Sequence, residues 1–202
     1  IDPTILDEYA PNHDVTVLEA AIWHGSEDLT HWLLDKGASA TPTGHEARPF
    51  NAASICGRVS VLKRMLEMGA DEGLGLAYAA RREQREAIRP LLAAGVDPNR
   101  KAPIGVVDGM AWRGTLHCGE TALHMAARAG DIEAVRLLVE GGADSAITDA
   151  HGETPVAWFS RYRVKSHNWS GEKLDELVKL LTPKKAAAKP SCPAEKLPPL
   201  AL

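Results

Sequence analysis

An all-α solenoid of about five helix-turn-helix repeats, with one connecting finger shortened and one expanded, is the fold the sequence predicts. Three observations carry this. The phrase Thr121-Ala122-Leu123-His124-Met125-Ala126-Ala127-Arg128-Ala129-Gly130 runs through Leu137-Leu138 to Gly142-Ala143-Asp144, and Thr154-Pro155 opens the phrase again 33 residues after Thr121. Weaker copies run from Thr16 to Gly37-Ala38, from Arg48 to Gly69-Ala70 and from Leu74 to Gly95-Val96. No such unit can bury its apolar face alone, so neighbours must stack into a quasi-linear array with special ends.

Each element has a local reason. Thr at a repeat start supplies an N-cap oxygen, and Pro at the next position has a preset φ and no donor to lose. Thr154-Pro155 keeps that pair and Thr121-Ala122 keeps the cap residue alone. Leu and paired Ala at helical spacing let the first helix approach its neighbours closely. Gly25, Gly57 and Gly130 are placed to end first helices in a left-handed cap, and Gly37, Gly69, Gly95 and Gly142 to end second helices. Glu83 stands where the third copy needs that glycine, which makes its turn the weakest. The fifth copy opens with Val156-Ala157-Trp158-Phe159, carries an insertion from Arg161 to Gly171, and closes with an amphipathic helix over 172–181 stopped by Pro183.

These phrases resemble the ankyrin repeat, with its T-P-L-H-x-A-A opening, L-L pair and G-A-D ending at a period of 33. Repeat starts fall near 16, 48, 74, 121 and 154, giving a repeat domain over 16–183 between an N-terminal cap segment (1–15) and a basic Pro/Ala/Lys-rich tail (184–202) expected to be disordered. The spacings are 32, 26, 47 and 33. The short one predicts a missing hairpin finger after Gly69. The long one places a surplus in 100–120, read either as a binding loop or as chain folded back over the shortened finger.

Composition narrows the function. The chain has 202 residues, 23 Lys+Arg and 27 Asp+Glu, a net charge of −4. The tail holds Lys184, Lys185, Lys189 and Lys196 against Glu195, so it is +3 and residues 1–183 are −7. That balance disfavours a general polyanion binder, and nucleic acid is not an expected partner. No apolar run is long enough to span a bilayer. Cys56, Cys118 and Cys192 lie in no disulfide or metal-finger pattern, so a reducing, cytoplasmic setting is expected. The chain begins at Ile1 rather than Met, which leaves an upstream targeting segment or domain open.

No nucleotide-binding, hydrolase or zinc-protease motif is present, so an enzyme is not expected, nor a cofactor or a metal. His117, Cys118 and His124 match no familiar zinc spacing. The resemblance implies instead that His124 braces its turn and that Asn99 braces the finger, an asparagine position that in the family can also be hydroxylated.

The resemblance further implies a non-catalytic module that holds a partner protein in its concave face, as scaffold, adaptor, inhibitor or effector, and as a monomer. Seven and eight places after each start stand Trp23 and His24, Ile55 and Cys56, Arg81 and Arg82, Arg128 and Ala129, and Arg161 and Tyr162. The expected contact residues are Trp23, His24, Arg81, Arg82, Arg128, Arg161 and Tyr162, joined by Met110, Trp112 and Arg113 from the 100–120 loop. Arginine and aromatic residues suit binding hot spots, and a row of guanidinium groups suits an acidic surface. The alternative is an anionic ligand, nucleic acid or phospholipid, held by the arginine groove and the basic tail. Arg81 and Arg82 also have a plain reading as a solvated helix end paired with Glu83 and Glu86.

Overall fold

The computed structural model describes residues 15–40, 48–70, 73–102, 119–162 and 171–183. Among them run ten helices: α1 (Val17–His24), α2 (Glu27–Asp35), α3 (Arg48–Ile55), α4 (Val59–Glu67), α5 (Gly75–Arg81), α6 (Arg85–Ala93), α7 (Ala122–Ala129), α8 (Ile132–Glu140), α9 (Pro155–Tyr162) and α10 (Gly171–Leu181). They form five antiparallel pairs. The first members, α1, α3, α5, α7 and α9, stack on one another as an inner row, and the second members stack likewise as an outer row.

The core is one continuous strip from Leu18 to Leu181. The alanine pairs Ala52-Ala53, Ala79-Ala80 and Ala126-Ala127 are all buried between inner helices, where only small side chains let two backbones approach. Short helices like these are marginal alone, so the packed face holds them.

Helix boundaries follow the expected chemistry. Thr16 and Glu19 form a reciprocal cap: the Glu19 N–H donates to Thr16 Oγ1 at 3.2 Å and the Thr16 N–H donates to Glu19 Oε2 at 3.0 Å. Gly25, Gly57 and Gly130 all take positive φ at the ends of first helices. Glu83 takes the same left-handed conformation at φ 58°, so the turn forms without glycine, in a region that costs a side-chain-bearing residue about 1 kcal/mol.

Connections differ as the spacings predict. Between α4 and α5 only 68–74 intervene, and the inner helices α3 and α5 meet closely enough that a Cβ on Gly75 would lie 2.5 Å from the Phe50 ring. The expanded connection is pinched at its base: the Ala102 N–H donates to the Glu120 carbonyl at 2.8 Å, and the Gly119 N–H donates to the Ala102 carbonyl at 3.0 Å. The interior of that loop lies outside the described residues, as do the cap segment 1–14 and the tail from 184. In the last pair α9 extends through Tyr162 and α10 begins at Gly171, so the insertion expected from Arg161 to Gly171 narrows to 163–170.

Candidate functional site

The last turns of α1, α3, α5 and α7 place one pair of side chains each in the same position along the solenoid, because each of these helices ends in the same left-handed step. Trp23 is half-buried and packs on the core, while His24 is exposed. Ile55 also packs on the core, beside the half-buried Cys56. Burial pushes the Cys56 thiol up, more than the Arg58 and Arg82 guanidiniums draw it down, so it stays protonated and unreactive at neutral pH.

Arginines occupy the middle of the row. Arg81 is half-buried and Arg82 is exposed. Burial lowers the proton affinity of Arg81, and the neighbouring Arg128 and Arg82 guanidiniums lower it further, with Glu120 opposing. It remains a cation, but one crowded by like charge. Arg81 and Arg82 make no ion pair among the described residues. By contrast, Arg64 pairs with Asp35 at 3.0 Å and Arg85 with Asp131 at 2.7 Å, while Arg136 pairs with Glu133 and Glu176. Glu83 and Glu86, the pairing partners in the plain reading, make no ion pair with Arg81 or Arg82 among those residues.

The other expected contacts divide. Arg128 is half-buried beside Arg81. Arg161 is exposed, but its guanidinium is held by Glu153. Tyr162 is the last residue of α9. Met110, Trp112 and Arg113, with Cys118 and His117, lie outside the described residues.

His124 is fully engaged. Its Nδ1 accepts from the Thr121 N–H at 3.2 Å, with Thr121 Oγ1 at 2.9 Å, and its Nε2 lies 3.0 Å from the Glu153 carbonyl. A carbonyl can only accept, so Nε2 carries the proton of the neutral ring. No ring nitrogen is left for a metal. Among the described residues no group of three or more His, Cys, Asp or Glu is placed to hold one. No helix there is long and apolar enough to cross a membrane.

Asn99 is a brace as well. Its Nδ2 donates to the Gly142 carbonyl at 3.1 Å and its Oδ1 accepts the Asp144 N–H at 2.8 Å, joining two fingers. Sequence reasoning missed a second set of braces at the start of the outer helices. The Arg58 guanidinium lies over Gly25, Gln84 lies over Gly57 and donates to the Ile55 carbonyl at 3.2 Å, and Asp131 receives Arg85. All three occupy the N-cap position of an outer helix. That shared register is the signal that could have found them.

Comparison with known proteins agrees with this geometry. A family model described as ankyrin repeats (3 copies) matches residues 76–192, more than half of the chain. The chain is 28% identical over 176 residues to the E3 ubiquitin-protein ligase KEG of Arabidopsis thaliana, covering 77% of this chain and 10% of that protein. It is 26% identical over 153 residues to the putative E3 ubiquitin-protein ligase XBAT31 of the same plant, covering 70% of this chain and 33% of that one. The chain thus spans about a tenth and a third of those two curated relatives. A third relative, cyclin-dependent kinase 4 inhibitor B of Rattus norvegicus, is 35% identical over 108 residues, 44% of this chain and 83% of the inhibitor.

Proposed function

Because the chain belongs to the ankyrin repeat family, whose members generally mediate protein–protein interaction, we propose that it is a non-catalytic module that holds an acidic segment of a partner protein against its inner row. The carrying observation is the contrast among arginines. Arg64, Arg85 and Arg136 on the outer row are neutralised by carboxylates, whereas Arg81 and Arg82, in the middle of the inner row, have none among the described residues. A carboxylate from a partner would relieve the like-charge crowding of Arg81, and Arg gives it two parallel donors. Trp23 and His24 at one end supply further contact surface. The loop residues Met110, Trp112 and Arg113 enter this reading as a flanking finger, rooted at the Ala102 and Glu120 pinch.

Such a module would act as scaffold, adaptor, inhibitor or effector, as a monomer in the cytoplasm. The name of the rat relative describes an inhibitor, one of these roles. The test is affinity capture from the native lysate with the wild type and with Arg81→Glu/Arg82→Glu, after circular dichroism confirms equal helix content. A protein retained by the wild type and lost by the variant supports the reading. Equal capture by both removes the groove from consideration. Retention of nucleic acid or anionic vesicles, with steep loss on raising salt, would replace the protein partner by an anionic ligand.

A further inference from the structure

The arginines of the inner row belong to a longer series, with one guanidinium at each packed step of the solenoid. The Arg58 guanidinium lies against the end of α1, where a Cβ on Gly25 would come within 2.4 Å of its Nη2. Its Nε is buried with no hydrogen-bond partner. At the end of α3, the Cys56 thiol feels both Arg58 and Arg82. Arg81 stands in the last turn of α5 and Arg128 in the last turn of α7, near enough that Arg81 responds to the charge of its neighbour. Those four helices are consecutive members of the inner row.

Packing sets the interval of the series. The inner helices meet through buried alanine pairs, and packed helix axes lie about 8–10 Å apart. A partner that offers one anion per step must repeat the same face at that interval. A β-strand does not, because its same-face residues recur at about 6.8 Å and then at about 13.6 Å. A polyproline II segment, with three residues per turn, presents every third side chain on one face about 9.3 Å apart. An α-helix reaches the interval only with every seventh residue, at about 10.5 Å, so its partner segment must be more than twice as long and must be ordered on binding.

We propose that the inner row seats a polyproline II segment of a partner protein with an acidic side chain at every third position, one for each guanidinium of the series. This rests on the reading of the row as the seat of an acidic segment and adds the conformation and register of that segment. Trp23, half-buried in the last turn of α1, supplies at the Arg58 end the aromatic surface on which proline rings pack. The charge of −7 over residues 1–183 disfavours a phosphodiester chain in the same place.

The test is fluorescence anisotropy with labelled peptides of one Glu/Pro/Ala composition, their glutamates at every third position, at every second position or in one block. The first should bind about tenfold more tightly than the other two, as expected when charge-assisted hydrogen bonds form in register. Arg58→Gln, with helix content checked by circular dichroism, should weaken that peptide about tenfold and leave the block peptide unchanged. Equal affinity for all three, abolished by Arg81→Glu/Arg82→Glu, would overturn the register and leave the acidic seat standing. Binding by none of them would remove both. Tighter binding of a helical peptide with glutamate at every seventh position would assign the row to a partner helix instead.

Discussion

Two junctions between inner helices solve the same problem with different means. Where α7 meets α9 a full finger is present, and the contact is a lattice. His124 holds the Glu153 carbonyl, the buried Asp149 accepts the His151 and Glu153 amides through Oδ1 and the Trp158 indole N–H through Oδ2, and the His124 and Trp158 rings meet edge to face at 5.6 Å. Where α3 meets α5 the finger is missing. Asn51 stands in the slot that His124 fills, and its Oδ1 accepts the Leu74 amide at 3.1 Å, directly at the start of the next helix. Phe50 packs onto Gly75. A long connection therefore needs polar cross-links to fix it, whereas a short one is fixed by close approach of backbones.

The sharpest way to break the first junction is Trp158→Ala. It removes a buried aromatic side chain and leaves Asp149 Oδ2 without its donor, so unfolding free energy measured in urea should fall by about 4 kcal/mol. At the second junction, Gly75→Ala forces the Phe50 ring and Ser54 Oγ apart, since the added Cβ would lie 2.5 and 2.7 Å from them. A loss of about 2 kcal/mol is expected in the same measurement, and a much smaller one would mean that α3 and α5 separate at little cost.

Acid distinguishes the junctions. Burial holds His124 below its ordinary value near 6.5, outweighing its bond to the Glu153 carbonyl. Burial pushes Asp149 up, but the Glu153 amide, the Trp158 N–H and the His151 amide together bring it below its ordinary 3.8. For both groups the unfolded chain binds protons more tightly. The stability that His124 contributes is full above about pH 6.5 and is lost as pH falls toward its folded value, and that of Asp149 follows below 3.8. Hydrogen exchange in α9 should therefore accelerate between pH 7 and 5, after correction for the intrinsic rate, while α5 beside the neutral Asn51 does not respond. A His124→Gln variant should lose that dependence.

The smallest effect expected is a gain. Glu83→Gly relieves a left-handed residue at the end of α5 and should raise unfolding free energy by about 1 kcal/mol, a shift resolvable in urea titration.

Most of the fold was legible because its determinants are local. The glycine steps, the alanine pairs and the spacings 32, 26, 47 and 33 depend on neighbours within one repeat or on register between repeats. Glu83 shows the limit: a position can keep its conformation after losing the residue type that announces it, because the packed helices on either side dictate φ. The positions of Arg81, Arg82 and Arg128 at the ends of α5 and α7 were readable by counting from repeat starts. Their state of pairing was not, since it depends on which carboxylates the stacking brings near. Arg85 and Asp131 are 46 residues apart in sequence, and Arg161 meets Glu153 only across the turn into its own helix.

The pinch between Ala102 and Glu120 has a consequence for how this chain tolerates change. Two backbone hydrogen bonds close the expanded connection at its root and hold Ala102 beside Glu120, so the two ends of the connection meet whatever the number of residues between them. For such a closed loop the entropic penalty grows only with the logarithm of length, and doubling it costs about 0.6 kcal/mol. The root is therefore a port: sequence between residues 103 and 118 can be lengthened, exchanged or replaced by a foreign peptide, and the helices on either side keep their register.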